Sequence, residues 1–220
     1  MIKAMMAKEL RETLGIGAIA LAFYLALVSN LMGMGLFNWV PTMPGWTQEV
    51  PFTGSEFLSF YTVVSALLAI ALGFRQAFGE DAKGTYQFLL HRPAHRNSLF
   101  LTKLGTGVLL LLLCTAIPIL LYGGWAARPG HLPGPFAWSM TLPAWQMWFA
   151  MPVLYLGAFL SGLWPARWLG TRLLPLLAAG LLVAVVFFVP WWLLGLGIAA
   201  ASSVLLVTNI AFVAGIRDYS

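Results

Sequence analysis

Apolar residues run through this chain in long unbroken blocks, and polar residues gather in short stretches between them. Six blocks stand out: approximately Leu14 to Phe37, Phe57 to Phe74, Ser98 to Tyr122, Trp145 to Trp164, Leu173 to Val189 and Leu193 to Ile216. A helix that crosses a ~30 Å hydrocarbon core needs about 20 mainly apolar residues, and these blocks meet or approach that length. They do not alternate with a period of two, which argues against membrane β-strands. Only Pro190 to Trp192 separates the last two blocks, so a tight hairpin is predicted there. The expected fold is an all-α integral membrane protein of six transmembrane helices, one domain over residues 1–220.

The polar stretches carry their own patterns. At the start, "MIKAMMAKELRETLG" places Ile2, Met5, Met6, Leu10 and Leu14 on one broad helical arc, with Lys8, Arg11 and Glu12 mainly opposite. That pattern predicts an interfacial helix over residues 1–13 leading into the first span. The first block is too long for a signal-peptide core and lacks a clear small-x-small cleavage site, so it reads as an anchor. Between the second and third blocks lies "GEDAKGTYQFLLHRPAHRNSLFLTK", Gly79 to Lys103. A short helix is predicted from about Phe78 to Leu90. Glu80 and Asp81 would sit in its first turn, where acids favour the helix dipole. Glu80 can pair with Lys83, and Ala82, Tyr86 and Leu89 form an apolar stripe. Pro93 would stop this helix, and Asn97 or Ser98 would cap the next.

Composition sharpens the picture. Of the 220 residues, 60% are hydrophobic and 9% charged. Soluble domains carry about 25% charged residues, and a chain this poor in charge cannot coat a soluble core. The net charge of +5 follows from topology, not from nucleic-acid binding. With a cytoplasmic N-terminus, Lys3, Lys8, Arg11, Arg75, Lys83, Arg92, Arg96, Lys103, Arg167, Arg172 and Arg217 share one side and Arg128 stands alone on the other. Cytoplasmic loops concentrate positive charge, so both termini are expected inside. Trp39, Trp46, Trp125, Trp138, Trp145, Trp191 and Trp192 fall near the outer boundary, as an interfacial belt does. Cys114, the single cysteine, lies within an apolar block and reads as a small buried hydrophobe.

Candidate chemistry is sparse. The predicted spans hold essentially no ionisable residue away from their ends, whereas ion-driven carriers and intramembrane enzymes need such groups at depth. Gln146, Asn30 and Asn209 remain, and the two asparagines are expected to hydrogen-bond to neighbouring helices. His91 and His95 have a metal-pair spacing, but Pro93 between them breaks the shared helical face. No nucleophile-elbow, zinc-protease or phosphate-loop pattern occurs. Any energy for transport would therefore come from a partner that needs a cytoplasmic handle. The competing expectation is a non-transporting membrane scaffold or assembly subunit.

At this point the chain resembles the ABC-2 type permeases, the membrane subunits of ABC exporters. The resemblance rests on "KEL" at Lys8, Glu9 and Leu10, and on Glu80, Gly84, Thr85, Leu89, Leu90, Pro93, Arg96 and Lys103 in that order. The topology is similar along the whole chain and the motifs over about a quarter of it. Two features depart from the family pattern. His91 and Arg92 precede the proline where small or polar residues are usual, and the outer connection between spans five and six is nearly absent. The resemblance implies an N-terminal elbow helix that includes Lys8, Glu9, Leu10 and Arg11. It implies a cytoplasmic coupling helix over 78–92, with Glu80, Gly84, Thr85, Tyr86, Leu89, Leu90, Pro93 and Arg96 as ATPase-contact residues. It also implies an ABC ATPase subunit that binds ATP and magnesium, a second permease chain (identical or a sister), and a bacterial cytoplasmic membrane. This chain would bind no cofactor and carry out no catalysis itself.

Overall fold

The computed structural model describes residues 2–33, 52, 55–81, 96–129, 135–164 and 171–216. The elements are α1 (Ile2–Leu31), α2 (Ser55–Asp81), α3 (Arg96–Ala126), a short 3-10 helix (Trp138–Thr141), α4 (Leu142–Leu163), α5 (Leu174–Phe188) and α6 (Trp192–Ile216). No strand occurs among the described residues. Five segments are long and apolar enough to cross a membrane: Lys3–Leu31, Glu56–Phe78, Phe100–Ala126, Trp138–Leu163 and Trp192–Gly215. The chain is a multi-pass membrane protein. The fifth expected span differs from the expectation, because α5 has only 15 residues. At 1.5 Å per residue it is about 22 Å long, short of a ~30 Å core. Pro175 opens it, and an extended Val189 followed by Pro190 closes it. The predicted hairpin at Pro190 to Trp192 is present, with α6 beginning at Trp192.

The helices weave back and forth. The start of α1 meets the end of α2 and the start of α3, and Arg172, just before α5, meets the end of α4. Lys3, Lys8, Arg11, Arg75, Arg96, Lys103 and Arg172 therefore share one end of the bundle, and Arg128 lies at the other. Trp125, Trp138, Trp145, Trp191 and Trp192 cluster at the Arg128 end, where indole rings suit a membrane interface.

The central helix is α4. It packs against α2, α5, α6 and α3, and 78% of its most apolar 18-residue stretch is buried, against 22% of the corresponding stretch of α6. Large apolar residues point outward instead, including Ile19 and Phe23 on α1, Leu109 and Leu113 on α3, and Val204, Leu205 and Phe212 on α6. Lipid is as apolar as these side chains, so close packing must hold the helices together where apolar burial cannot. A close main-chain approach joins α2 to α4. A Cβ on Gly73 would stand 2.6 Å from the Tyr155 carbonyl oxygen and 2.9 Å from the Phe159 amide nitrogen. Both of those are main-chain atoms, so the helices themselves would have to part.

Gly73→Ala is therefore expected to lower the unfolding free energy by about 1–3 kcal/mol, as overpacking does. Gly180 has open space around it, and Gly180→Ala should leave stability unchanged or raise it by up to about 1 kcal/mol. Unfolding of the two variants in one detergent checks the contrast.

Candidate functional site

The inward side of α1 is its polar and small side. Glu9, Thr13, Gly17, Ala20 and Tyr24 are buried at helical spacing, while Met6, Leu10 and Leu14 are exposed. This reverses a soluble amphipathic helix, as expected where the surroundings are hydrocarbon. Thr13 Oγ1 donates to the Glu9 carbonyl at 2.8 Å, so its hydroxyl is satisfied within α1. The Glu9 carboxylate points across the bundle.

It reaches two helices. Glu9 Oε1 lies 3.6 Å from Lys103 Nζ of α3, and both side chains are only 4% exposed. Gln76 Nε2 of α2 donates to Glu9 Oε2 at 3.4 Å. Lys103 Nζ also donates to the Gln76 carbonyl at 3.2 Å. Tyr155 Oη of α4 donates to Gln76 Oε1, which completes a four-helix network. Gly107 of α3 makes the space: a Cβ there would overlap both Tyr155 Oη and Gln76 Oε1. The pair is formally neutral. A lone buried charge would carry a desolvation penalty of several kcal/mol, so each partner makes the other tolerable at this depth. Among the described residues no group of three His, Cys, Asp or Glu side chains could hold a metal ion. What the network does is mechanical: it fixes α1, α2, α3 and α4 relative to one another.

A second clamp lies at the same end. Arg172 donates from Nε to the Ser161 carbonyl at 3.2 Å and from Nη2 to the Gly162 carbonyl at 2.9 Å. A cation at the last carbonyls of a helix also complements its dipole. The same guanidinium lies 4.8 Å from the ring centre of Phe78 on α2, within cation–π range. Ser161 Oγ accepts from the Leu176 amide at 3.0 Å, tying α4 to the first turn of α5. At the opposite end Gln146 of α4 donates from Nε2 to the carbonyls of Val186 and Val189, at 2.7 and 3.1 Å, and so satisfies the end of α5.

The predicted site residues fall into three groups. Glu9 and Lys103, both on the family-like pattern, are brought together. Lys8, Leu10 and Arg11 are on the exposed side of α1. Gly84, Thr85, Tyr86, Leu89, Leu90 and Pro93 lie outside the described residues, as do His91, His95 and most of the expected 78–92 helix. α1 is continuous from Ile2 to Leu31, and two details differ from expectation. Phe78 to Asp81 continue α2, so Glu80 does not open a separate helix, and α3 already includes Arg96 and Asn97. An uninterrupted run of helix-compatible residues gives neither helix a reason to stop earlier. Asn209 donates to the Leu205 carbonyl of its own helix at 2.8 Å, not to a neighbour, because its side of α6 faces outward.

Sequence reading missed Gln76 and Tyr155, and it placed Lys103 only among the charges of one side and in the family-like pattern. The available signal was spacing along α2: Gln76 continues the Tyr61, Ser65, Leu68, Leu72 stripe that faces the bundle. Compared with known protein families, curated proteins and solved structures, the chain matches none.

Removing one charge strands the other. Lys103→Met and Glu9→Leu are each expected to cost about 3–5 kcal/mol of stability, while the double variant recovers most of that loss. A double-mutant cycle from unfolding in detergent measures the coupling. Additive losses would show that the two side chains do not interact.

Proposed function

We propose that this chain is the membrane subunit of an ATP-driven exporter of the ABC-2 type. It works as a pair of permease chains, identical or sister, with two separate ABC ATPase subunits that bind ATP and magnesium. The chain itself is a transport subunit and performs no catalysis. The observation that carries this reading is the Glu9–Lys103–Gln76–Tyr155 network. Segment 82–95 joins the end of α2 to the start of α3 in the chain. The network holds both of those helices to α1 and α4 within a few turns of that segment. A push on the segment is then passed to four helices together and not absorbed by one. Coupling of this kind needs such a rigid block on one side of a bistable interface.

In this reading residues 78–92 dock in a groove of the ATPase, with Glu80, Thr85 and Tyr86 among the contacts. Residues 1–13 act as the elbow, a role compatible with a helix that continues into the span. The positively charged end of the bundle faces the cytoplasm of a bacterial cell. The substrate passes between the two permease chains.

C-terminal tagging, gentle extraction and identification of co-purifying proteins test the partner. A stoichiometric soluble subunit with a phosphate-binding loop is the expected result. No ATPase, even after cross-linking through residues 80–90, would leave the chain as a scaffold. Glu80→Lys should insert normally yet lose stimulation of ATP hydrolysis, measured on the reconstituted complex.

A further inference from the structure

The hairpin between α5 and α6 stops below the Arg128 end of the bundle. Gln146 of α4 holds the last carbonyls of α5. The same amide lies against the first turn of α6, where a Cβ on Gly195 would stand 2.6 Å from its Nε2. The turn at Val189 to Trp191 therefore sits within about one helical turn of Gln146. At its other end α5 is tied to α4 through Leu176 and Ser161. An α-helix rises about 22 Å between Gln146 and Ser161, which is also the length of α5.

The α3 side is taller. Trp148 of α4 donates from Nε1 to the Leu112 carbonyl of α3 at 2.9 Å. From Leu112, α3 climbs about 20 Å further to Trp125. Trp125 stacks on Tyr122 at 5.9 Å. Trp138 rests on Gly123, where a Cβ would stand 3.0 Å from the indole ring. The tryptophans at this end thus stand at two levels, with Trp125 and Trp138 roughly 10 Å beyond Trp191 and Trp192. The positively charged end has no such step. Lys103 of α3 donates to the Gln76 carbonyl of α2, and Arg172, just before α5, lies 4.8 Å from the ring centre of Phe78, two residues along the same helix. Tilting the whole bundle would level one end only by stepping the other.

Two further observations place a membrane surface at the lower level. The turn is uncovered among the described residues: Phe188 is 79% exposed and Trp191 73%. Irregular backbone open to lipid does not occur within hydrocarbon, where no water meets its polar groups, and indoles favour the headgroup level. On α6, Thr208 and Asn209 are an exposed polar pair, each donating back to the Leu205 carbonyl at 2.8 Å. Trp192 to Thr208 spans about 24 Å, whereas Lys103 to Trp125 on α3 spans about 33 Å.

We propose that the α5–α6 hairpin is a membrane-thinning surface whose partner is phospholipid. The leaflet at the Arg128 end descends to the hairpin, and headgroups settle around Trp191 and Trp192. Along α3 the bilayer keeps its ordinary thickness. Bilayers adjust to a short apolar segment in this way at a modest cost per Å. The inference does not rest on the exporter reading and holds equally for a scaffold.

Depth-dependent quenching tests it. The chain, in a Cys114→Ala background, carries one fluorophore at Pro190→Cys, at Ala127→Cys or at Thr171→Cys. Each variant is reconstituted in dioleoylphosphatidylcholine vesicles that contain a nitroxide lipid labelled at the headgroup or at mid-chain. Residue 190 marks the hairpin, residue 127 the end of α3 and residue 171 the positively charged end. At all three the headgroup nitroxide should quench at least about twofold more than the mid-chain one, as interfacial positions do. Stronger mid-chain quenching at residue 190 would overturn the proposal, because the hairpin would then be sunk in an undeformed bilayer. Stronger mid-chain quenching at residue 171 would also overturn it, because the bundle would then be tilted. Quenching by neither lipid at residue 190 would overturn it as well, since protein would then cover the hairpin. Should Pro190→Cys fail to insert, Phe188→Cys is read by the same criteria.

Discussion

The bundle depends on one buried charge pair. Between helices in hydrocarbon, apolar side chains gain nothing from leaving their solvent, so apolar contact alone selects no register. Glu9 and Lys103 do select one. Only one placement of α1 against α3 joins the carboxylate to the ammonium, and the same placement lets Gln76 donate to Glu9 and accept from Tyr155. Replacing such a pair by apolar residues is often neutral for stability, whereas stranding one member is not. Its consequence here is therefore positional more than energetic. The ends of four helices are held in a single arrangement.

Steric fit supports the same arrangement. Gly107 leaves room where Tyr155 Oη meets Gln76, and Gly73 lets α2 lie against the main chain of α4. These contacts put α4 at the centre and leave the broad apolar sides of α1, α3 and α6 to lipid. Arg172 adds a third tie by holding the last carbonyls of α4 while lying near Phe78 of α2. The positively charged end is thus bound by ionic and hydrogen-bonded contacts that have definite partners and directions.

The other end is built differently. It has rings against rings, with Phe52 beside Phe57 and Tyr122, together with the Gln146 hydrogen bonds to the end of α5. Ring contacts tolerate sliding and rotation far better than a paired charge does, because they are individually weak and broadly oriented.

Much of this was legible along the chain. The unbroken apolar blocks, the one-sided distribution of Lys and Arg, and the proline-bounded hairpin before α6 all depend on local composition, and local composition decides whether a segment enters lipid. Helix ends were less legible. Nothing in the sequence stops α1 at residue 13 or α2 at Phe74, and Pro175 and Pro190 shorten α5 below the span that hydropathy suggests. The clamp was not legible at all. Glu9, Gln76, Lys103 and Tyr155 are separated by 67, 27 and 52 positions. A lysine at a loop edge looks the same whether it meets water or a carboxylate. The family-like pattern held two of the four residues, but no periodicity reveals that they touch. Membership of a span is set by each segment's own free energy of transfer into lipid. Partnership between spans is set by which polar atoms end up at one depth on facing helices, and the assembled bundle alone decides that.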